Sequence, residues 1–508
     1  MKMRYILIIA AIFLATGCSE DFIIQEPQAV TVIENFYKTG NDAIMAVNAA
    51  YVPMQWEFNY TYYNEWMFGD VVSDDALKGG NGINDMNDLF QLENFTATPS
   101  NQILQEFYRA QYQGIYRSNL AINKIPDISP DDSLTLSLKN RLIGEARFLR
   151  AYYYFRLVRV FGGVPLVTTT LAPSEYRMPR ASRDDIYALI YSDLESAISM
   201  LWPKSAYPEE DLGRATKGAA EALLMKAYLY NQQWDKAEAW GDSVMASGEY
   251  ELQSNYFDNF TLSGENGIES VFEIQYMEEP TSDYGGGGIG GNGFTRGTFI
   301  TIMQRTRSGS LGWGFDRPTQ DLYDEFETDD PRRDATIMAP DDDVYLGNAY
   351  HSRKYALEGF TLAHPTRGPI NQKVIRYADV LLMEAEAACE NNNLNKAKDA
   401  LEKVRARARA GNDAVLPAFP YGNYADNQND LRKAIRHERR VELAMEGQRF
   451  YDLVRWGIAA EVMNAYEQTE SSTVTQYMSP FEKGKHELFP IPETEINLNN
   501  LLEQNPNY

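Results

Sequence analysis

The sequence is short of cysteine, histidine and basic residues, and each shortage removes a class of explanation. Only two cysteines occur among 508 residues, Cys18 and Cys389, so an internal disulfide framework is not available once either is used elsewhere. Cys389 follows Ala385 by four residues and Leu381 by eight, on one helical face, which predicts a buried, inert thiol. The four histidines, His351, His364, His437 and His486, lack zinc-ligand spacing, and His437-Glu438 has no second histidine four residues after the first. No Gly-x-Ser-x-Gly nucleophile turn occurs. Lys and Arg number 47 against 72 Asp and Glu, a formal charge of -25 that repels phosphate backbones and anionic surfaces, so nucleic acid is not an expected partner. Beyond residue 15 no apolar run reaches bilayer-spanning length.

What is present begins at the N-terminus. Lys2 and Arg4 precede an apolar run from Tyr5 to Ala15, and Thr16-Gly17-Cys18-Ser19 follows. Early cations, a short greasy segment and small residues at its end predict a secretory signal over residues 1–17, removed on export. Cys18 directly after Gly17 resembles a bacterial lipobox, with Leu14 one position earlier than the usual pattern, so Cys18 is expected to be lipidated and to become the first mature residue. Each buried acyl CH₂ contributes about 0.8 kcal/mol, enough in sum to hold a soluble body at a membrane. Residues 18–30, with Pro27, read as a tether. Ser19-Glu20-Asp21 resembles the signal that carries some lipoproteins to the outer face of the outer membrane.

Residues 31–508 read as one globular unit, mainly helical. Apolar residues keep a helical spacing from Asn101 to Ile125, where Pro126 ends it. Leu138, Leu142, Ala146, Leu149, Tyr153, Leu157 and Val160 step by threes and fours before Gly162. Ser182 and Asp185 form a capping box ahead of Ile186 to Leu201. Two helix pairs follow, one around Ala220–Met245 and one from Tyr377 to Ala408 across an Asn391-Asn392-Asn393 turn, with small residues at facing positions as in tetratricopeptide-like repeats. Their irregular spacing predicts a broken array. Between them, from about 252 to 372, lies a loop-rich insertion with a strand at Phe272, Ile274 and Tyr276 and a glycine run from Gly285 to Gly293. That run satisfies Gly-x-Gly-x-x-Gly at Gly285, Gly287 and Gly290, but no helix opens there to receive a phosphate.

Four segments in order resemble the SusD/RagB outer-membrane lipoproteins. They are Glu145 to Tyr154 (EARFLRAYYY) with Phe161 to Leu166 (FGGVPL); Arg376 to Ala387 (RYADVLLMEAEA); Glu438 to Ala444 (ERRVELA) running on to Glu446 to Gly457 (EGQRFYDLVRWG); and Pro490-Ile491-Pro492 with the terminal QNPNY. The resemblance implies a tetratricopeptide-like helical scaffold, with an N-terminal part over about 31–230 and a C-terminal part over about 250–508. It also implies a cell-surface, non-catalytic protein that captures glycan and acts as lid of a TonB-dependent, SusC-like outer-membrane transporter. Peptide is the alternative cargo. A surface glycoside hydrolase and a scaffold binding only protein are the competing classes. No cofactor is expected, and a structural divalent cation stays open.

Sugars present flat C–H faces that stack on aromatic rings, while neighbouring amides and carboxylates bond the hydroxyls. Trp56, Tyr60, Tyr62, Tyr63 and Trp66 cluster ahead of Asp74-Asp75 and the loop Lys78 to Asn84. Trp313 stands between two glycines, and Tyr284 precedes the glycine run. The expected ligand-binding residues are therefore Trp66, Asp74, Asp75, Asn81, Tyr284 and Trp313. Acidic pairs such as Asp74-Asp75 could also serve as glycosidase carboxylates, but among 72 acidic residues adjacent pairs are expected by chance, and a solvated or loop-capping role is the favoured reading of this pair. Near the C-terminus, Glu438 and Glu442 share a stripe with Leu431, Ile435 and Met445, so they are expected to point into protein, neutralised by Arg439, Arg440 and Arg449.

Overall fold

The computed structural model describes residues 36–278 and 296–508. The signal peptide, the tether with Cys18, and the glycine run with Tyr284 lie outside the described residues. Among the described residues, nine long helices build the scaffold: α1 (Gly40–Tyr51), α2 (Gln102–Lys124), α3 (Leu136–Phe161), α4 (Arg183–Met200), α5 (Lys217–Tyr230), α6 (Trp234–Ala246), α7 (Tyr377–Glu390), α8 (Leu394–Ala408) and α9 (Gln428–Glu442). Their ends follow the sequence signals. Asn101 caps α2 by accepting from the N–H groups of Ile103 and Leu104. Ser182 and Asp185 form the reciprocal box of α4, and Gly162 stops α3 at φ 71°. The stripe Leu142, Ala146, Leu149, Tyr153, Leu157 and Val160 is buried.

The helices stack in sequence, α2 on α3, α3 on α4, α4 on α5, α5 on α6, and then α6 on α7. That last contact corrects the expectation of a broken array. The chain leaves after α6 and returns 130 residues later, yet α7 takes the next place in the stack, and the intervening part is inserted without interrupting it. Glu238 of α6 marks the junction by accepting bonds from Asn391 (2.6 Å) and Asn393 (2.8 Å) in the α7–α8 turn. Cys389 is buried on α7, and burial pushes its thiol up to about 11, which keeps it unreactive.

The inserted part is anchored by two short antiparallel ladders. β1 (Ala76–Gly79) pairs with β3 (Phe315–Pro318), with Gly79 opposite Phe315. β2 (Ser270–Ile274) pairs with β4 (Gln372–Arg376), which runs straight into α7. All of β2 is buried, so the strand predicted around Phe272 belongs to the core rather than to a half-exposed sheet.

Glu438 and Glu442 point inward as expected, but their partners differ. Glu438 is held by Arg332 (2.5 Å) and Arg405 (2.7 Å), and Glu442 by Arg376 (3.0 Å), Arg332 (3.0 Å) and Arg407. Arg439 turns instead to Asp379 and Asp452. Adjacent helical residues point in different directions and cannot neutralise each other, so the compensating charges come from other elements. No helix among the described residues is long and apolar enough to cross a membrane.

Candidate functional site

Residues 57–63 fold into a tight hairpin. Tyr63 N–H bonds the Glu57 carbonyl (2.9 Å), Asn59 N–H bonds the Thr61 carbonyl (3.1 Å), and Phe58 bridges Tyr62. Its base is fixed by the buried carboxylate of Glu57, which accepts from Thr298 Oγ1 (2.6 Å), the Phe299 N–H (2.7 Å) and Asn64 Nδ2 (3.1 Å). Burial raises the Glu57 pKa, and the Thr298 and Phe299 donors oppose the shift. The Phe58 and Tyr62 rings thereby lie together at 4.8 Å, and Tyr60 at the tip is 77% exposed.

A second loop completes the surface. Trp313 N–H bonds the Ile302 carbonyl (2.7 Å) and Gly314 N–H the Arg305 carbonyl (2.8 Å). A Cβ on Gly312 would lie 2.3 Å from Arg305 Cβ and 2.4 Å from its carbonyl oxygen, so this close approach admits only glycine. The half-buried Trp313 ring meets Tyr62 edge-on at 5.7 Å, Phe299 lies 5.0 Å from Tyr62, and Phe58 lies 4.8 Å from Tyr62. Trp313 is one of the residues expected from the sequence and Tyr62 belongs to its aromatic cluster, whereas Phe58, Phe299 and Arg307 were not among them. The signal for Phe58 was present: aromatics at 56, 58, 60 and 62 alternate as a hairpin requires.

Asn81 adjoins this surface. Gly80 N–H bonds the Gly314 carbonyl (2.8 Å), so Asn81 and Trp313 each lie one residue from a single hydrogen-bonded pair. The exposed Asn81 side chain accepts from Arg307 Nη1 (2.6 Å). Arg307 is gripped in turn by Asp343 through Nη2 (2.6 Å), Nε (2.9 Å) and its backbone N–H (2.8 Å). Burial works against the Asp343 charge, yet the Arg307 bonds and the charge of Arg317 hold its carboxyl at about 2.

The other candidates do not join them. Asp74 is buried against Arg449 (2.8 Å) and Arg440 (3.0 Å), and Asp75 against Arg440 (2.7 Å). Both are corrected from ligand contacts to internal ion pairs, because two guanidinium groups from the C-terminal part close over them. Trp66 is 4% exposed and lines, with Trp56 and Tyr63, a chamber of about 60 Å³ behind the hairpin. It too is corrected from surface to interior: residues 65–69 form a helical turn whose tryptophan faces the core. An open groove of about 800 Å³ runs between α2 and the C-terminal segment past Tyr108, Tyr176 and Leu498, and uses none of the expected residues.

Comparison with known proteins agrees with this architecture. Residues 339–508 match the SusD family, and residues 37–229 match a family described as starch-binding associating with outer membrane. The chain is similar to SusD-like protein P25 of Formosa agariphila, 26% identical over 99% of this chain and 98% of that one. Among solved structures it is similar to a laminarin binding SusD-like protein, at 32% identity and a TM-score of 0.78, covering 93% of this chain and 100% of the other. It is also similar to surface glycan-binding protein A from Bacteroides fluxus, at 25% identity and a TM-score of 0.79, over 93% of this chain and 100% of that chain.

Proposed function

Because the chain belongs to the SusD/RagB family, we propose that it is a surface-anchored capture protein that takes a glycan or oligosaccharide on the platform of Tyr60, Tyr62 and Trp313. It holds the glycan without cleaving it and serves as the lid of a TonB-dependent, SusC-like transporter. The observation that carries the reading is Trp313 set against Tyr62 with Asn81 and Arg307 alongside: rings for the C–H faces of a sugar, and amide and guanidinium groups for its hydroxyls. The enclosure of Asp74 and Asp75 by arginines argues against this pair as glycosidase carboxylates, since both are buried and already paired with guanidinium groups. The expected lipid on Cys18 places the body at the outer membrane, facing outward.

The test is calorimetric titration of residues 19–508 with laminarin, other glycans and peptides. Saturable glycan binding that Trp313→Ala weakens supports the reading, and peptide binding alone keeps the uptake role and changes its cargo. Reducing sugar released on long incubation would overturn non-catalytic capture. Co-purification of a barrel transporter from native membranes tests the lid role. Cys18→Ala should free the protein from membranes, and continued attachment would refute the anchor.

A further inference from the structure

Lysine is out of place at position 78. It lies within β1 between Leu77 and Gly79 and is wholly buried. Its ammonium donates to three carbonyls, that of Gly79 (2.8 Å) at the end of the strand and those of Gly82 (3.0 Å) and Asp85 (2.7 Å) in the loop that leaves it. The rings of Tyr345, Phe315 and Phe90 stand around it at 5.1, 5.6 and 6.0 Å from Nζ. Loops that bind hard cations turn backbone carbonyls inward in this way. Gly79 and Gly80, at φ 77° and 76°, permit that turn.

The loop closes on itself as well: Asn81 N–H bonds Asp85 Oδ2 (2.8 Å), and Asp85 N–H bonds the Gly82 carbonyl (3.0 Å). Its outer side carries Asn81, the residue that meets Arg307. Burial lowers the Lys78 pKa to about 8 against the pull of Glu93 and Asp85, so the group is charged at neutral pH.

We propose that Lys78 is a positioning residue of the glycan site: its ammonium acts as a built-in cation around which residues 79–85 fold, and so holds Asn81 against Arg307 beside Trp313. The inference deepens the capture reading and rests on it, but its structural half is measurable without any glycan.

Hydrogen–deuterium exchange of the mature chain and of Lys78→Met provides the first arm. Peptides covering 79–86 are expected to exchange at least about tenfold faster in the variant while those of α3 and α7 keep their protection, since three carbonyls within 79–85 lose their shared donor. Unchanged exchange at 79–86 would overturn the proposal. The second arm is a laminarin titration of Lys78→Met, Asn81→Ala and the double variant. Each single change is expected to weaken binding about tenfold and the double no further, because Lys78 acts through Asn81. Losses that multiply, or a Lys78→Met that binds as the parent does, would overturn it. If the parent chain binds no glycan, the capture reading fails while the exchange arm still decides the loop. If Lys78→Met does not fold, Lys78→Gln, which keeps two N–H donors without the charge, takes its place in both arms.

Discussion

Arg440 Nε lies 2.7 Å from Asp75 Oδ1, joining α9 to a loop 365 residues earlier in the chain, and both side chains are buried. The same guanidinium reaches Asp74 (3.0 Å) and Asp321 (2.6 Å). Arg440→Met should therefore leave buried carboxylates short of a partner and lower the unfolding free energy by about 3–5 kcal/mol. Urea denaturation at pH 7 measures this, and a loss below about 1 kcal/mol would mean that Arg449 alone neutralises the pair.

Asp316 presents the opposite case, a buried carboxyl without a cation. It accepts from Gln304 Nε2 (2.6 Å) through one oxygen, while the other has no partner, and its backbone sits at φ 55°. Burial, and then the charge of Asp75, raise its pKa well above the ordinary value. A carboxyl raised in the folded state destabilises that state once the pH exceeds the unfolded value of about 3.9, and the cost grows as pH climbs through the folded value. Asn tolerates the left-handed backbone and cannot ionise. Asp316→Asn is expected to stabilise the protein by about 1–3 kcal/mol at pH 7.5 and to lose that advantage near pH 4. Paired denaturation curves at the two pH values test it.

These two aspartates also mark what the sequence could and could not disclose. The helices were legible because their signals are local: a stripe on α3, a capping box at Ser182, an asparagine turn after α7. The family segments were legible for the same reason, being continuous strings. Asp74 and Asp75 were not, because their environment is set by Arg440 and Arg449, more than 360 residues away. The continuity of α6 with α7 was hidden by the length of the insertion between them. The loop position of Trp313 was legible through its glycine neighbours, which deny it a helix face, whereas the burial of Trp66 was not, because nothing local distinguishes a buried tryptophan from an exposed one.

His437 supplies a pH dependence of the same sign in a higher window, here through a group whose charged form the fold favours. Its ring nitrogens lie 2.6 Å from Glu325 and 3.3 Å from Glu327. Burial disfavours the imidazolium, but the bonds to the two carboxylates prevail and raise its pKa to about 9. The stability it contributes is fully present below the unfolded value near 6.5 and is lost as pH rises through about 9. The parent chain should therefore lose more stability than His437→Gln between pH 6.5 and pH 9.5. Parallel urea titrations of the two proteins check this, and equal losses would show that the histidine is uncharged in the folded state.

The platform and the chamber behind it can be separated by two tryptophans, both of which the sequence offered as ligand contacts. Trp313 is half-buried against Tyr62, whereas Trp66 is closed off inside, so a sugar stacking on the surface touches only the first. Trp313→Ala should weaken laminarin binding about tenfold, the order of an aromatic stacking contact together with its covered area, and leave the melting temperature nearly unchanged. Trp66→Phe should do the reverse, lowering stability by about 1–3 kcal/mol through the space it leaves and changing affinity less than about twofold. Calorimetry and thermal unfolding on both variants give four numbers. If affinity followed Trp66 instead, the ligand would lie in the chamber, and the hairpin 57–63 would have to open to admit it.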